Sequence, residues 1–414
     1  MIEPRNITDP SLDARDDVAI KAGMPEMIDK IWFHKTATAV IDSDRCVRCG
    51  SCIAACPSHS IGVDTEGLPS LIKMCTGCSA CWDFCPLGGL RPERLWKLEE
   101  KEENSAGDPL GRVRAVYGAR DMERDEMAQD GGVVTAILEE LLKSGEITGA
   151  LVTERNNAFQ GRAKIARTVE EIRAGAGSIY EQSVPLGQFS NLPDVGPDER
   201  LAMVGTPCQI TGSSALKKYG WNKRRTVLQA VKYSIGLLCS RSFDSRKLLV
   251  KLAKGGVKIS DVNKIDIAKG KLYALDKGGN ELLAEPVKDF HDVSLRGCDE
   301  CADFTARLSD ISVGNMGSSP GYSTLIIRTE SGEKAWDLAR HRFDMEDAVN
   351  MEPIRKLERR NRESAVKSLK RDFNEDAPVW IHYSEHLKDY IDTDRTPVKS
   401  PPRRSFNYAK GTVC

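Results

Sequence analysis

The sequence predicts a chain of α+β / α/β class in two unlike parts, a small domain organised by cysteines and a larger mixed α/β domain after it. Three observations predict it. Eight of the thirteen cysteines fall between residues 46 and 85, in two runs of one spacing. From Val113 onward, strand-like and helix-like segments alternate as they do in an α/β unit. Between the two lies a charged stretch with Gly and Pro, residues 97–112 (KLEEKEENSAGDPLGR), which reads as a linker.

The elements follow in order. Residues 1–35 are polar and read as an N-terminal extension, with one short helix expected around Met24–Phe33. Residues 36–96 form the cysteine domain. Val113–Gly118 reads as a strand. Gly131–Lys143 (GGVVTAILEELLK) carries apolar residues at helical spacing, and Gly145 ends it. Ala150–Thr153 is the next strand. Leu201–Val204 reads as a buried strand running into Gly205-Thr206-Pro207-Cys208-Gln209, and Ser214–Tyr219 as a helix. Tyr233–Leu238 is a further strand, ending at Cys239. Residues 262–285 alternate in short strand-like pieces, with turns at Gly270 and Gly278-Gly279. Thr324–Arg328 reads as a strand and Gly332–Arg340 as a helix, closing a domain over 113–340. Residues 341–414 are strongly charged and finish in SPPRRSFNYAKGTVC. Composition reads this extension as a solvated helix with a disordered end, or as a docking arm for a partner.

Hydrophobic residues make up 40% and charged residues 29% of the 414, the make-up of an ordinary folded protein. The net charge of −1 lacks the basic excess that nucleic acid or an acidic membrane surface requires. The start, MIEPRNITDP, lacks the charged-then-apolar pattern of a signal peptide. No apolar run approaches the ~18–20 residues of a membrane span. The best, Val227 to Cys239, is short and broken by Lys232. The expectation is a cytoplasmic protein, with peripheral docking on others left open. Its cysteines then read as metal ligands rather than disulfides.

The first run is Cys46-x2-Cys49-x2-Cys52-x3-Cys56-Pro57, and the second is Cys75-x2-Cys78-x2-Cys81-x3-Cys85-Pro86. Three thiolates two residues apart wrap one [4Fe–4S] cube, while the fourth points away to the other cube. The expected sets are Cys46, Cys49, Cys52 and Cys85 for one cluster, and Cys75, Cys78, Cys81 and Cys56 for the other. Zinc would need only four ligands in CxxC pairs. Gly50 and Gly77 let the loop backbone approach the clusters closely. The segment is therefore ferredoxin-like: it relays electrons and performs no substrate chemistry.

Four more cysteines sit in the C-terminal half. Cys208 and Cys239 each follow an expected strand, and Cys298 and Cys301 form GCDEC. Spacing leaves three readings open: a third cluster, a zinc site, or buried free thiols. Cys414 is left over. Gly131-Gly132 opens a helix after a strand and a turn, a natural phosphate site through N–H groups and the helix dipole, although a plain turn explains it equally well. Gly175–Tyr180 (GAGSIY) and Gly314–Gly321 (GNMGSSPG) are two further loops able to line a ligand. No strand-borne GxGxxG and no GxxxxGK[ST] is present, so neither a Rossmann nor a P-loop site is supported. The six histidines include His382 and His386 at i, i+4, which read as surface residues.

With these motifs in hand, the chain resembles the beta-subunit family of coenzyme F420-reducing hydrogenases and dehydrogenases. The resemblance is carried by Gly131-Gly132-Val133-Val134-Thr135-Ala136, Gly205-Thr206-Pro207-Cys208-Gln209 and Gly236-Leu237-Leu238-Cys239. It is carried furthest by Gly297-Cys298-Asp299-Glu300-Cys301-Ala302-Asp303-Phe304-Thr305-Ala306, continuing through Asp310-Ile311-Ser312-Val313-Gly314 to Arg328-Thr329. It covers roughly residues 112–340. One departure is Ser309, where the family usually carries alanine. The ferredoxin segment fused to this domain resembles the electron-input subunits of deazaflavin dehydrogenases.

The resemblance implies a flavin-binding domain with FAD, and a third [4Fe–4S] cluster on Cys208, Cys239, Cys298 and Cys301. It implies coenzyme F420, an 8-hydroxy-5-deazaflavin, as substrate. On that reading Gly131, Gly132 and Thr135 would receive the FAD phosphates, Ser178, Tyr180 and Ser183 would line the ring or ribose, and Thr206 and Gln209 would flank the cluster cysteine and face the flavin. The basic stretch from Lys217-Lys218 to Lys223-Arg224-Arg225 is a solvated face or a contact for the coenzyme's acidic tail. A deazaflavin moves a hydride and a cluster moves one electron, so a flavin has to stand between them. No general acid or base is assigned. Single electrons would pass to or from a dehydrogenase, hydrogenase or heterodisulfide-reductase-like subunit, or a soluble ferredoxin. The family also holds members with other acceptors, tetrapyrroles among them. A ferredoxin-driven reductase of another organic acceptor and a pure electron-transfer subunit are therefore the alternatives.

Overall fold

The structure, a computed structural model, describes residues 30–100, 108–125, 127–182, 184–189, 196–219, 227–379, 381, 389–390 and 392–399, with two short strands at 406–407 and 412–413. The expected helix at Met24–Phe33 falls mostly outside them. So do Ser183, Lys223, Arg224, Arg225, His382, His386 and Cys414.

The cysteine domain has little regular structure. A hairpin of β1 (Ile61–Val63) and β2 (Pro69–Leu71) joins two one-turn helices, α1 (Ser51–Ala54) and α2 (Ala80–Asp83), and the longer α3 (Pro92–Glu99) follows. Each one-turn helix starts after a left-handed residue, Gly50 at φ 86° and Ser79 at φ 63°. At Gly50 a side chain is excluded twice, since a Cβ would also lie 2.3 Å from the backbone N of Gly187.

The rest is built on one mixed sheet. Its strands are β3 (Ala115–Asp121), β4 (Gly149–Arg155), β5 (Gly161–Ala166), β6 (Leu201–Gly205), β7 (Val231–Leu237), β11 (Ile311–Gly314), β12 (Ser323–Ile327) and β13 (Phe343–Glu346). They lie in the order β13-β3-β12-β11-β7-β6-β4-β5. The pairs β4–β6, β6–β7 and β7–β11 are parallel, and β12 is antiparallel to both β11 and β3. Hence β3, β4, β6, β7 and β11 all deliver their carboxyl ends to one edge, the edge where open α/β sheets bind ligands. A separate meander, β8 (Lys264–Ala268), β9 (Lys271–Leu275) and β10 (Glu281–Pro286), turns at Gly270 (φ 74°) and Gly279 (φ 78°) as expected.

Strand residues alternate between two cores. Ala150, Val152, Ala202, Tyr233 and Ile235 face α4 (Val133–Lys143) and α6 (Glu330–Ala339). There Trp336 stacks between Tyr117 and Phe343, at 4.6 and 5.3 Å. Leu151, Leu201 and Met203 face the other way, toward Ala215 and Leu216 of α5 (Pro207–Tyr219). Phe84, Leu90 and Leu95 of the cysteine domain join that second core. The small domain is therefore welded to the sheet. The expected linker 97–112 begins inside α3 and ends packed, with Leu110 fully buried; residues 101–107 lie outside the described set.

The C-terminal stretch also departs from its solvated reading. Helix α7 (Glu352–Leu369) buries Ile354, Glu358 and Ala365. Beyond it, Trp82 Nε1 donates to Arg395 O at 2.7 Å, Tyr390 OH donates to Asp83 at 2.8 Å, and Arg371 pairs with Glu93 at 2.7 Å. Several of the charges that made this stretch look solvated meet partners on other elements, Arg355 with Asp108, Arg371 with Glu93 and Arg395 with Asp83, which composition does not reveal. No helix among the described residues is long and apolar enough to cross a membrane.

Candidate electron-transfer site

Three groups of thiols meet in this structure. Burial pushes Cys52 well above the ordinary thiol range, and the charges of Cys85, Cys46, Cys49 and Cys81 push it further. Burial likewise raises Cys81, followed by Cys78, Cys75 and Cys56. Burial raises Cys46 to about 12, with Cys49 adding to the push. The fourth cysteine of each run thus keeps company with the other run's first three, in the crossed pattern that the spacing predicts.

The third group forms at the carboxyl edge of the sheet. Cys208 is the second residue of α5, shortly after β6, and Cys239 follows β7. Cys298 and Cys301 lie on the 3-10 turn Arg296–Glu300 and just past it. Burial raises Cys208; the next causes are Cys49 and then Cys301. Cys239 is raised to about 12 by burial and then by Cys298. The four line a cavity of ≈ 600 Å³ of empty volume, partly open, with Val47 and Leu87 of the cysteine domain on one wall. Through Cys208 and Cys49 this group adjoins the first ferredoxin set, and through Cys52 and Cys81 the first adjoins the second.

The donor set fits iron–sulfur clusters. Buried thiols crowded against one another resist ionisation, and a cationic iron core beside them removes that resistance. Among the described residues no three His, Cys, Asp or Glu side chains gather tightly enough for a single ion. A zinc site draws its ligands to about 2.0–2.3 Å from one point, whereas ligands on the corners of a cube stand wider apart.

The contacts that hold these groups together cross the whole chain. Arg45 Nε and NH2 grip the Glu300 carboxylate at 2.6–3.0 Å. Arg48 pairs with Asp244 at 2.9 Å, and Arg296 NH1 donates to Ser43 O at 2.7 Å. A Cβ on Gly297 would lie 1.9 Å from Arg45 O, so the cysteine loop touches the ferredoxin backbone where glycine alone fits. Behind Cys301, the Glu358 carboxylate accepts from the N–H groups of Phe304 and Thr305 at 2.9 and 3.1 Å. Arg328, fully buried, donates to Leu110 O, Arg112 O and Ser312 Oγ. Ser309 spends its extra hydroxyl on Ala306 O at 2.8 Å, inside the fold.

Thr206 and Gln209 lie beside Cys208. Thr206 Oγ1 is 3.3 Å from Cys208 Sγ, and Thr206 N donates to Gln209 Oε1 at 3.1 Å. Gln182, which sequence reasoning missed, ties them together. Its Nε2 donates to Thr206 Oγ1 at 3.2 Å and Ser242 Oγ at 2.8 Å, and its Oε1 accepts from Gln209. Ser242 N in turn reaches Cys298 Sγ at 3.5 Å. No motif marks Gln182 or Ser242; their position next to the GAGSIY loop and Cys239 is the only signal.

The other expected flavin residues among the described ones lie in or beside the loops at this edge. Gly131 N donates to Ser323 Oγ at 3.0 Å, and Gly132, at φ 69°, caps α4 while its N–H donates to Gln129 O. Both glycines thus serve the turn, and Thr135 stands half-buried in the first turn of α4, where N–H groups precede the helix ladder. Ser178 O accepts from Arg155 NH2 at 3.2 Å, and Tyr180 stands beside Phe243. Lys217 and Lys218 lie elsewhere, on a cleft near the start of β7, where Lys218 pairs with Glu99.

The fold and the crossed thiol sets define an iron–sulfur protein built on a mixed α/β sheet. Residues 39–91 match the 4Fe-4S dicluster domain. Residues 116–189 and 198–351 match the N-terminal and C-terminal parts of the coenzyme F420 hydrogenase/dehydrogenase beta subunit, and the chain belongs to that family. Its relatives include an F(420)H(2) dehydrogenase subunit of Methanosarcina mazei, 30% identical over 74% of this chain and 86% of that one. The coenzyme F420-dependent sulfite reductase of Methanocaldococcus jannaschii is 34% identical over 77% of this chain, which spans only 49% of that protein. Among solved structures, a chain of the F420-reducing [NiFe] hydrogenase complex from Methanosarcina barkeri superposes with a TM-score of 0.58 at 27% identity. That match covers 63% of this chain and 93% of the other.

Proposed function

We propose that this chain is a coenzyme F420-dependent oxidoreductase subunit that exchanges a hydride between the deazaflavin and FAD and relays single electrons to or from a partner. One observation carries the reading: three thiol sets stand in sequence, beginning at the sheet's carboxyl edge, with Cys208 beside Cys49 and Cys52 beside Cys81. FAD, when bound, supplies the exchange between two-electron and one-electron chemistry. The chain's own part is placement. Cys208, Cys239, Cys298 and Cys301 would hold the cluster nearest the flavin. Cys46, Cys49, Cys52 and Cys85 would hold the middle one, and Cys75, Cys78, Cys81 and Cys56 the outer one. Gln182, Thr206 and Gln209 form a polar knot around Cys208 and would hold that thiol in place for the cluster. Thr135, Ser178 and Tyr180 border the same edge, and Val47 and Leu87 keep water from the thiols. The names of the relatives support the deazaflavin as substrate. Sulfite chemistry is not carried over, because about half of that relative has no counterpart here.

Anaerobic reconstitution with iron, sulfide and FAD, followed by titration with reduced deazaflavin, tests the reading. The expected result is about twelve irons per chain, four for each cluster, and bleaching of the flavin and then of the clusters. About eight irons removes the third cluster, and absence of bleaching removes the deazaflavin.

A further inference from the structure

A second cleft, partly open and with ≈ 680 Å³ of empty volume, lies at the other end of the sheet from the thiols. Val231 begins β7 there, Asp310 stands just before the parallel β11, and Thr329 follows the antiparallel β12. The floor is therefore the amino edge of the parallel strands. One wall is a flank of α5, where Ile210, Ser213, Ser214 and Lys217 stand three, four and seven positions apart and share a helix face. The end of α3 brings Glu99 and Glu100 from the cysteine domain. No thiol and none of the expected flavin residues lines this cleft.

Its acids are all engaged. Glu99 pairs with Lys218, and Glu100 with Arg307. Asp310 accepts from Ser234 N and Oγ at 2.7 Å each and from Thr329 Oγ1 at 2.5 Å. Lys232 is taken by Glu146, outside the cleft, at 2.7 Å. Two cations are left over. Lys217, exposed on the rim, donates through Nζ to Val231 O at 2.5 Å, and Arg112 NH1 reaches Glu99 O at 3.4 Å while its buried Nε has no partner. Among the described residues no carboxylate pairs with either. Ser213 adds a donor between them. It is only 6% exposed, yet its hydroxyl has no hydrogen-bond partner among the described residues. Buried hydroxyls are ordinarily paired, and a helix serine commonly bonds back to a carbonyl one turn earlier. Water can satisfy the hydroxyl but leaves the two like charges unbalanced.

We propose that this cleft binds a phosphoryl group, as the free ion or at the end of a small ligand, between Lys217, Arg112 and the hydroxyls of Ser213 and Ser214. A phosphoryl group offers several acceptor oxygens in different directions, which suits donors that arrive from both walls, and charge-assisted bonds to Lys and Arg supply most of the attraction. The proposal goes beyond the hydride and relay reading and depends on neither. The cleft joins three parts that hold the thiols: α5, whose second residue is Cys208, α3 of the cysteine domain, and the segment from Arg307 to Asp310 downstream of Cys301. A ligand that fits only the assembled cleft stabilises that assembly by mass action.

The test uses the full reconstituted chain at an ionic strength held constant with chloride. Calorimetric titrations with inorganic phosphate and with glycerol 3-phosphate, each against a glycerol blank, are expected to show saturable binding at one site and a raised thermal midpoint. Binding of phosphate alone assigns the cleft to the free ion, and binding of both assigns it to the phosphoryl end of a larger ligand. Lys217→Gln is expected to weaken the affinity at least tenfold and Ser213→Ala several-fold, whereas Lys217→Arg keeps the charge and stays near wild type. Lys232→Gln, which removes a charge already paired with Glu146, is expected to leave the affinity unchanged. Absence of saturable binding by either probe, or wild-type affinity in both Lys217→Gln and Ser213→Ala, overturns the proposal. An equal loss in Lys232→Gln does so too, since it would reduce the effect to general charge. So does a deazaflavin KM raised by Lys217→Gln, which would give the cleft to the coenzyme's acidic tail.

Discussion

At the scale of single residues, Gly297 marks how closely the ferredoxin loops and the third thiol group are fitted. A methyl there meets Arg45 O at 1.9 Å, Leu87 Cδ1 at 2.5 Å and Val47 Cγ1 at 2.8 Å. Gly297→Ala is expected to cost about 2 kcal/mol, a typical overpacking penalty, read as a lower urea midpoint. It should also reduce iron content, because Cys298 moves with the wedge; wild-type values on both counts would contradict the fit. Thr36 makes a different point. Its hydroxyl lies 3.3 Å from Cys81 Sγ, and a donor to a cluster sulfur favours the more negative, reduced state. Thr36→Val keeps the shape and removes the donor, so the outer cluster's potential should fall in a titration followed by electron spin resonance. The cysteines were legible because cluster ligation imposes a fixed local spacing. Glu300 and Gln182 were not, because their partners, Arg45 and Thr206, are far away in the chain and no local rule relates them.

At the scale of elements, helices declared themselves where an apolar stripe had room to repeat. Gly131–Lys143 did so. The first seven residues of α5, Pro207-Cys208-Gln209-Ile210-Thr211-Gly212-Ser213, did not, although Pro207 at the first helical position is a start signal. Helix α7 looked solvated because its buried face is three residues wide and one of them is Glu358. That carboxylate holds two backbone N–H groups behind Cys301. Glu358→Ala leaves them unpaired among buried arginines and is expected to cost about 3 kcal/mol. It should also lower iron toward about eight per chain, while the ferredoxin signals persist. Glu146 acts at the same scale. It joins the turn before β4 to Lys232 and Tyr233 of β7 and Lys334 of α6, and those hydrogen bonds hold its carboxyl down to about 2. A depressed carboxyl stabilises the fold above its ordinary titration near 4.5 and loses that effect as pH falls toward 2. Because both lysines are about half exposed to solvent, Glu146→Gln should cost only up to about 1 kcal/mol at pH 6 and almost nothing near pH 2. Paired denaturation curves at the two pH values check the sign.

At the scale of the molecule, the two-part reading captured the ferredoxin segment and the α/β domain but missed their shared core. Phe84, Leu90 and Leu95 look like the interior of a small domain until Leu201 and Met203 are seen against them. A single cooperative unfolding transition is therefore expected for the iron-loaded chain, followed together by cluster absorbance and by tryptophan fluorescence; separate midpoints would indicate independent units. The contacts of Tyr390 and Arg395 with the second cysteine run add a matter of timing. Trp82 lies 313 positions before the Arg395 carbonyl that covers it. A ribosome adding about 5–20 residues each second takes on the order of 15–60 s over that distance. Through most of that interval the second cysteine run exists while Arg395 does not. Nascent chains consequently hold the second cysteine run without the contacts that Tyr390 and Arg395 later make to Asp83 and Trp82.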